Sequence, residues 1–522
     1  MNKRLILVLA LALVVGLTVG SAYAEVQNVK VSGDIYAAGV GRNHFDLTRQ
    51  SNINNGANKS DAEADMFSIA RLRVDADLTD NVGATIRLLN ERNWNGDSTN
   101  AVAANQNITG NTVTGGTTFG TTTTANNLNI DLAYVTLKEF LYSPLTLKIG
   151  RQDLRFGNAL IVGDPDTNIF SGQTSLAEGD LSARKSFDAV RATLDYNPLV
   201  IDGVYAKVQE GNVNLNDDVT LMGLNAAYDL NKSTTFEGYF FSKITGSQAA
   251  NVFNVKANNN TSFNTTLAGT NIKNDADKVN VIGLRAGNKG VKNLSLNGEV
   301  AYQFGTYNPK FDPNAAYNSA TDKAKTMKRS AWAVEVGANY DLKDVQGLAK
   351  YAPVVGAGYT YLSGQAPNKT GDNKYKGWDP MFEDQTNGHI LNAITANTNI
   401  MKANFNLGSK LTDDIGLKFD YVMAWFAKKY DDKDLTVLSG IANNTGTANV
   451  FRMQDKKFLG NEFDLTLTYD YTEDVQFALL GGYFAPSKAV AGVVNSISTG
   501  KTEDLPKRAA ACELIGSMKV TF

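Results

Sequence analysis

A single cysteine, Cys512, and two histidines, His44 and His389, are all the thiol and imidazole in 522 residues. One cysteine excludes an internal disulfide framework, and so few soft ligands leave little material for a zinc or copper centre. Hydrolytic chemistry is poorly served too, because a nucleophile needs a base within reach and histidine is the commonest one. Both histidines lie in segments read below as loops, with no nucleophile motif beside them, and are expected to be solvated. After residue 24 no apolar run is long enough to cross a membrane as a helix. A formal charge of −3 gives no nucleic-acid footprint. What the chain does have is 46 glycines, 24 phenylalanines and 21 tyrosines beside only 10 prolines.

The start of the chain is read separately. "MNKR" is a short positive segment, Leu5 to Val19 is apolar, and "SAYA" supplies a small-x-small pattern with cleavage expected after Ala24. Residues 1–24 are therefore expected to be a secretory signal peptide and are set aside from the fold. A transmembrane anchor is the alternative, disfavoured because the run is short and leads straight into strand-like sequence. Losing Lys3 and Arg4 brings the charge to about −5, and export carries the chain into an oxidising compartment.

The remainder alternates. In "NEFDLTLTYDY" (461–471), Phe463, Leu465, Leu467, Tyr469 and Tyr471 take one face, while Glu462, Asp464 and Asp470 share the other with two threonines. Leu294, Leu296, Val300, Tyr302 and Phe304 oppose Ser295, Asn297, Glu299 and Gln303. Trp332, Val334 and Val336 oppose Glu335 and Asn339; Leu417, Phe419 and Tyr421 oppose Lys418 and Asp420. A soluble sandwich or propeller would have to hide the apolar face of every such strand, whereas lipid accepts them all. Backbone groups in lipid must be paired, so the strands should close with no free edge.

Spacing gives the topology. "LTDNVG" (78–83), "LNKSTT" (230–235), "GNKGVKN" (287–293) and "YTEDVQ" (471–476) are short polar turns. Long polar stretches separate the pairs they join: 42–65, 94–126, 157–186, 245–277, 306–328, 363–397, 428–458 and 486–509, with a shorter one near 210–219. Short turns at one end and long loops at the other are the asymmetry of an outer-membrane barrel. Strand centres fall near residues 35, 72, 87, 133, 150, 191, 204, 225, 239, 283, 299, 335, 358, 403, 421, 466, 480 and 516, about eighteen in all. The expected fold is all-β, a transmembrane antiparallel β-barrel over 25–522, with short periplasmic turns, long extracellular loops and both termini at the turn side. "GSMKVTF" ends in an alternating strand on Phe522, which resembles the signal that outer-membrane barrels present to the barrel-assembly machinery.

Three stretches carry a family resemblance. "LTLKIGRQDLRFGNALIVGD" (145–164) resembles the Gly-Arg-Gln-acidic segment of the alginate-export family of outer-membrane porins. "RLRVDADLTDNVGATIRLLNERNW" (71–94) and "LGNEFDLTLTYDYTEDVQFALLGGYFAP" (459–486) are similar to an early and a penultimate hairpin of that family. The resemblance implies an eighteen-stranded monomeric barrel and a passive pore, whose namesake has an arginine-rich lumen for an acidic polysaccharide. Arg151 and Arg155 match the family segment. Strict alternation turns Arg151 toward lipid, so either Gly150 marks a bulge or Arg151 sits at the outer rim.

Alternation places the candidate pore lining. Arg71, Arg73, Arg87, Arg191 and Arg285 lie on the polar face, with Glu299, Glu335, Lys418, Asp420, Glu462, Asp464 and Asp470. Asp75, Glu237, Glu513, Lys402 and Lys519 share it. Arginines gather in the first half of the chain and carboxylates in the second, which predicts a transverse field rather than a uniformly positive tunnel. That composition departs from the family's pattern and puts alginate itself in question as cargo. "DPDTN" spaces Asp164, Asp166 and Asn168 like a calcium loop, but Ile169 and Ser175 replace the required Gly and Glu. The glycines of "GLRAGNKG" lie on a strand and turn, not before a helix, and suggest no phosphate site. No cofactor, metal or catalytic residue is expected. The favoured function is a channel for ions and small or oligomeric polar solutes, anionic saccharides among them. The alternative is a plugged barrel that displays loops for adhesion or partner binding.

Overall fold

The computed structural model describes residues 28–47, 62–94, 112–113, 117–118, 128–165, 176, 179–210, 218–246, 276–308, 326–365, 374–430, 435–436, 451–493 and 508–522. The expected signal peptide lies outside these residues. Eighteen long strands dominate. The first six are β1 (Asn28–Asn43), β2 (Glu63–Thr79), β3 (Val82–Asn93), β4 (Leu128–Leu137), β5 (Leu145–Asp153) and β6 (Ser186–Asp195). Next come β7 (Leu199–Gln209), β8 (Val219–Asn231), β9 (Thr234–Thr245), β10 (Asp277–Asn288), β11 (Leu294–Tyr307) and β12 (Met327–Asp341). The last are β13 (Val354–Leu362), β14 (Ile400–Lys410), β15 (Ile415–Phe426), β16 (Phe458–Asp470), β17 (Val475–Pro486) and β18 (Ala511–Thr521).

Each strand pairs antiparallel with its chain neighbour, and β18 returns to β1 over the register Asp34↔Thr521 to Asn43↔Cys512. At the seam, Gly33 and Phe522 exchange backbone hydrogen bonds of 2.8 and 3.0 Å. The sheet is thus a closed barrel, the form that leaves no backbone group unpaired in lipid. Short connections join β2–β3, β8–β9, β14–β15 and β16–β17, and long ones leave the opposite rim, called here the turn end and the loop end.

The outward faces are apolar. Leu284 on β10, Leu465 on β16 and Val31 on β1 remain about half exposed (65%, 48% and 57%), as expected of side chains whose partner is lipid. Tyr302 packs 4.5 Å from Trp332 towards the loop end, and Tyr469 stacks with Phe477 towards the turn end. These rings form the interfacial belts of a membrane barrel. Arg151 stays on the outer face, and no bulge intervenes: the β4–β5 register runs unbroken through Tyr134↔Gly150 and Ala133↔Arg151. Its guanidinium bonds Asp188 on β6 at 3.0 Å, near the loop end, so the charge is paired clear of the hydrocarbon midplane. Gly150 has φ +123°, and a Cβ there would lie 2.2 Å from the Ala133 carbonyl oxygen, so only glycine fits.

The core lies inside the barrel at the loop end. There the inward positions are apolar: Phe187 and Ala189 on β6, Val204 and Ala206 on β7, Leu221 on β8, Phe241 on β9, Val279 and Val281 on β10. Two connections fold inward to cover them. Residues 154–165 contribute Phe156, Leu160, Ile161 and Val162; residues 374–399 contribute Trp378, Met381, Phe382 and a short helix, His389–Ile394. Phe156 lies 5.3 Å from Phe241, and Phe382 meets Phe187 edge-on at 5.8 Å. Their backbones join through Phe382 N–H to the Ile161 carbonyl at 3.0 Å and Asp384 N–H to the Ala159 carbonyl at 2.9 Å. The stretch 363–397, taken from its composition as an external polar loop, is in large part an internal shelf.

Candidate functional site: the lumen

Below the shelf the inner face turns polar. Strand register puts the twelve residues named from the sequence on the inward side, where Glu299, Glu335, Glu462 and Asp464 are buried and the last two meet the shelf itself. The five arginines are each met at contact distance by a carboxylate. Arg71 grips Asp34 on β1 through Nε at 2.9 Å and Nη2 at 3.0 Å. Arg73 grips Asp75 at 2.7 and 2.9 Å, and Arg87 bonds the buried Asp131 at 2.6 Å. Arg191 bonds Asp202 at 2.7 Å, and Arg285 lies 3.2 Å from Glu237 and 3.8 Å from Glu299. Asp34, Asp131 and Asp202 were not foreseen. A bidentate guanidinium–carboxylate pair is a dipole rather than a free charge, so the arginine side of the lumen is not a positive wall. The expected transverse field is correspondingly reduced.

The carboxylates of the second half serve other partners. Glu299 accepts a 2.5 Å hydrogen bond from the Tyr239 hydroxyl. Glu335 accepts from Asn158 and, at 2.9 Å, from Gln385, both on inward segments. Lys418 and Asp420 pair at 2.8 Å, and Asp470 accepts from Gln476 at 2.7 Å near the turn end. Glu462 receives the backbone N–H groups of Ile390 and Leu391 at 2.5 and 2.7 Å, while Asp464 receives that of His389 at 3.1 Å. These two carboxylates therefore fasten the short helix to β16.

His389 is not the solvated loop residue expected. Its Nδ1 lies 2.7 Å from Glu513 Oε2 on β18, and Glu513 also bonds Arg42 at 2.7 Å. Burial alone would lower its pKa, but the hydrogen bond and charge of Glu513, with Asp464 and Asp180 nearby, raise it above the ordinary histidine value. At the other end of the shelf Lys243 bonds Asp379 at 2.5 Å and Gln303 bonds the Asp379 carbonyl at 2.6 Å. Burial would raise the Asp379 carboxyl, yet Lys243 and Arg329 hold it below the usual range. A third inward piece docks on the opposite wall, where Asp180 meets Arg42 at 2.6 Å and Ala183 N–H meets Glu91 at 2.6 Å.

The sequence carried a signal for the shelf. Strands β8 to β10 are apolar on both faces at their loop ends, as in "YFF" (239–241) and "VNVI" (279–282), and the inner face needs something to cover it. The complementary apolar groups stand out in "GWDPMF" (377–382) and "HILNAI" (389–394). Among the described residues no group of three or more His, Cys, Asp or Glu is placed to hold a metal ion.

The family model for alginate export matches residues 42–499. A search of the curated proteins finds no match. Among solved structures, OccAB1 of Acinetobacter baumannii is 11% identical, with 96% of this chain and 100% of that one covered and a TM-score of 0.48. OpdO of Pseudomonas aeruginosa is 10% identical over 95% and 98% of the two chains, with a TM-score of 0.48. OpdQ of the same organism is 11% identical over 95% and 98%, with a TM-score of 0.47. The fold rests on the strand pairing described above.

Proposed function

The chain belongs to the alginate-export family, and from that membership we propose how its lumen handles solutes and how the barrel reaches the outer membrane. It is an outer-membrane channel for small solutes. Of the twelve polar-face residues named from the sequence, those left partly exposed line the aqueous path, with Glu299, Glu335, Glu462 and Asp464 buried behind it. The path carries ions and small or oligomeric polar solutes by diffusion. Anionic saccharides belong to that range by family analogy. The observation that supports this reading is the lumen's composition below the shelf: paired charges and amides in a barrel whose outer face is apolar. Paired guanidinium groups can exchange a protein carboxylate for a passing one without stranding a bare charge, which suits transient contact rather than tight binding. The same groups perform no chemistry, and the protein is not an enzyme.

Residues 1–24 direct export and are removed. The barrel-assembly machinery recognises the last strand, β18 with Phe522, and the long loops face the exterior. Proteolysis of intact cells tests that orientation: cutting within 94–126 or 245–277 is expected, and cutting at 230–235 would reverse it. One observation favours a rival, a barrel sealed for display, because the shelf crosses part of the lumen with an apolar core. Conductance in a planar bilayer separates the two. Steady ion flow supports the channel, and a folded, inserted barrel without conductance supports display.

A further inference from the structure

Under the shelf lies a cavity of about 280 Å³ whose wall is made by β11 to β14 and whose roof is made by residues 384–387 with Arg155 and Asn158. Its wall has an unusual surface that follows from register. Asn297 on β11 pairs across to Gly337 on β12, Gly337 to Gly358 on β13, and Gly358 to Asn404 on β14. One step toward the turn end, Asn339 pairs to Gly356 and Gly356 to Asn406. Carboxamides and glycines thus interleave in two adjacent rows. The amides fill the space that glycine leaves: a Cβ on Gly337 would lie 2.5 Å from Asn297 Oδ1, one on Gly358 2.4 Å from Asn404 Oδ1, and one on Gly356 2.2 Å from Asn339 Oδ1. Seated flat, the four side chains recess the wall and present both N–H donors and carbonyl acceptors to the lumen. None of the four forms a hydrogen bond to another described residue. In the roof, Asn158 Oδ1 is buried without a partner.

We infer that this amide-lined recess is a subsite for an uncharged polyhydroxylated solute, such as one unit of a neutral sugar or polyol. The inference rests on the channel reading above and goes beyond it by naming a place and a ligand class. Hydroxyl groups both donate and accept, and carboxamides answer both roles with no net charge to desolvate. An anion finds less here, since the cavity holds one guanidinium, Arg155, against two carboxylates, Glu335 and Asp384. Arg155 is itself bound to Asp384. A volume near the lower end of the roughly 300–1,000 Å³ of small-ligand pockets suits a single ring.

The test uses the full-length protein in a planar bilayer with potassium chloride, adding sucrose, a polyethylene glycol of similar mass, or glucuronate. Sucrose should interrupt the current in a concentration-dependent way, and the interruptions should be the same at low and high salt. Polyethylene glycol and glucuronate should do so weakly or not at all. Asn404→Ala and Asn406→Ala, made singly, should each shorten the sucrose interruptions roughly two- to tenfold while leaving the salt conductance in place. Asn297→Ser, at the exposed edge of the patch, gives a milder version should either alanine variant fail to fold. Conductance that sucrose does not perturb overturns the subsite and leaves the channel standing. Equal interruption by polyethylene glycol, or unchanged interruption in the asparagine variants, also overturns it. No conductance at all overturns both readings.

Discussion

Along β2, β3, β6 and β10 the inner face carries guanidinium groups locked to carboxylates; along β11 to β14 it carries carboxamides seated on glycine. Both surfaces are polar and both lie on the inner face, and under the proposed channel function they would act on solutes through different physics. The first works through fields of paired charges, which fade as the Debye length falls from about 10 Å at 0.1 M to about 3 Å at 1 M. The second works through short-range hydrogen bonds that salt scarcely alters. The difference teaches that counting charges on a predicted inner face overstates the field, because cross-strand neighbours cancel much of it.

The largest effect should come from breaking the charged surface. Replacing Arg71, Arg73 and Arg87 together by Ser strands Asp34, Asp75 and Asp131, which now neutralise them. The reversal potential in a salt gradient should move strongly toward cation preference at low salt and much less at high salt. An unchanged reversal potential would show that these pairs lie off the ion path.

The next effect concerns the shelf that lies above both surfaces. Glu462→Ala leaves the buried N–H groups of Ile390 and Leu391 without acceptors, a cost of about 1–3 kcal/mol for each unsatisfied group. The short helix should come loose, giving larger and noisier single-channel currents. For that reason neutralising Glu462, Asp464 and Asp470 together is no clean test of selectivity. Currents of wild-type size and quietness would contradict the fastening role.

A smaller effect follows from His389. Its raised pKa means that the protonated form is favoured in the folded state, so its contribution is fully present below about pH 6.5. It is lost as pH rises through the raised value. The groups facing it are Glu513, Asp464 and Asp180, with Arg42 beside Glu513. Current noise should therefore grow on the alkaline side, and His389→Gln should remove that pH dependence. The smallest effect on conduction, though not on yield, should come from deleting Phe522. It removes two hydrogen bonds at the seam with Gly33 and should lower the amount of heat-modifiable folded barrel while leaving assembled channels unchanged.

Much of the barrel was legible because alternation of period two is a local property. Every strand centre placed from the sequence falls inside one of β1 to β18. The partners of the arginines were not legible, because Asp34 meets Arg71 only through the β1–β2 register, and alternation assigns a face without fixing register. The shelf was missed for a different reason. Its apolar groups, Trp378, Phe382, Ile390 and Leu391, are diluted among polar residues, so average composition reads as an external loop. His389 went the same way, since its meaning depends on Glu513, 124 positions further along the chain.

The most direct test of the account is the current through purified full-length barrels in a planar bilayer, recorded across a potassium chloride gradient at low and then high salt. An open, passive lumen of paired charges should give steady, roughly ohmic conductance with a modest ion preference that shrinks as salt rises. Folded barrels that insert yet pass no current, or a strong preference untouched by salt, would contradict it.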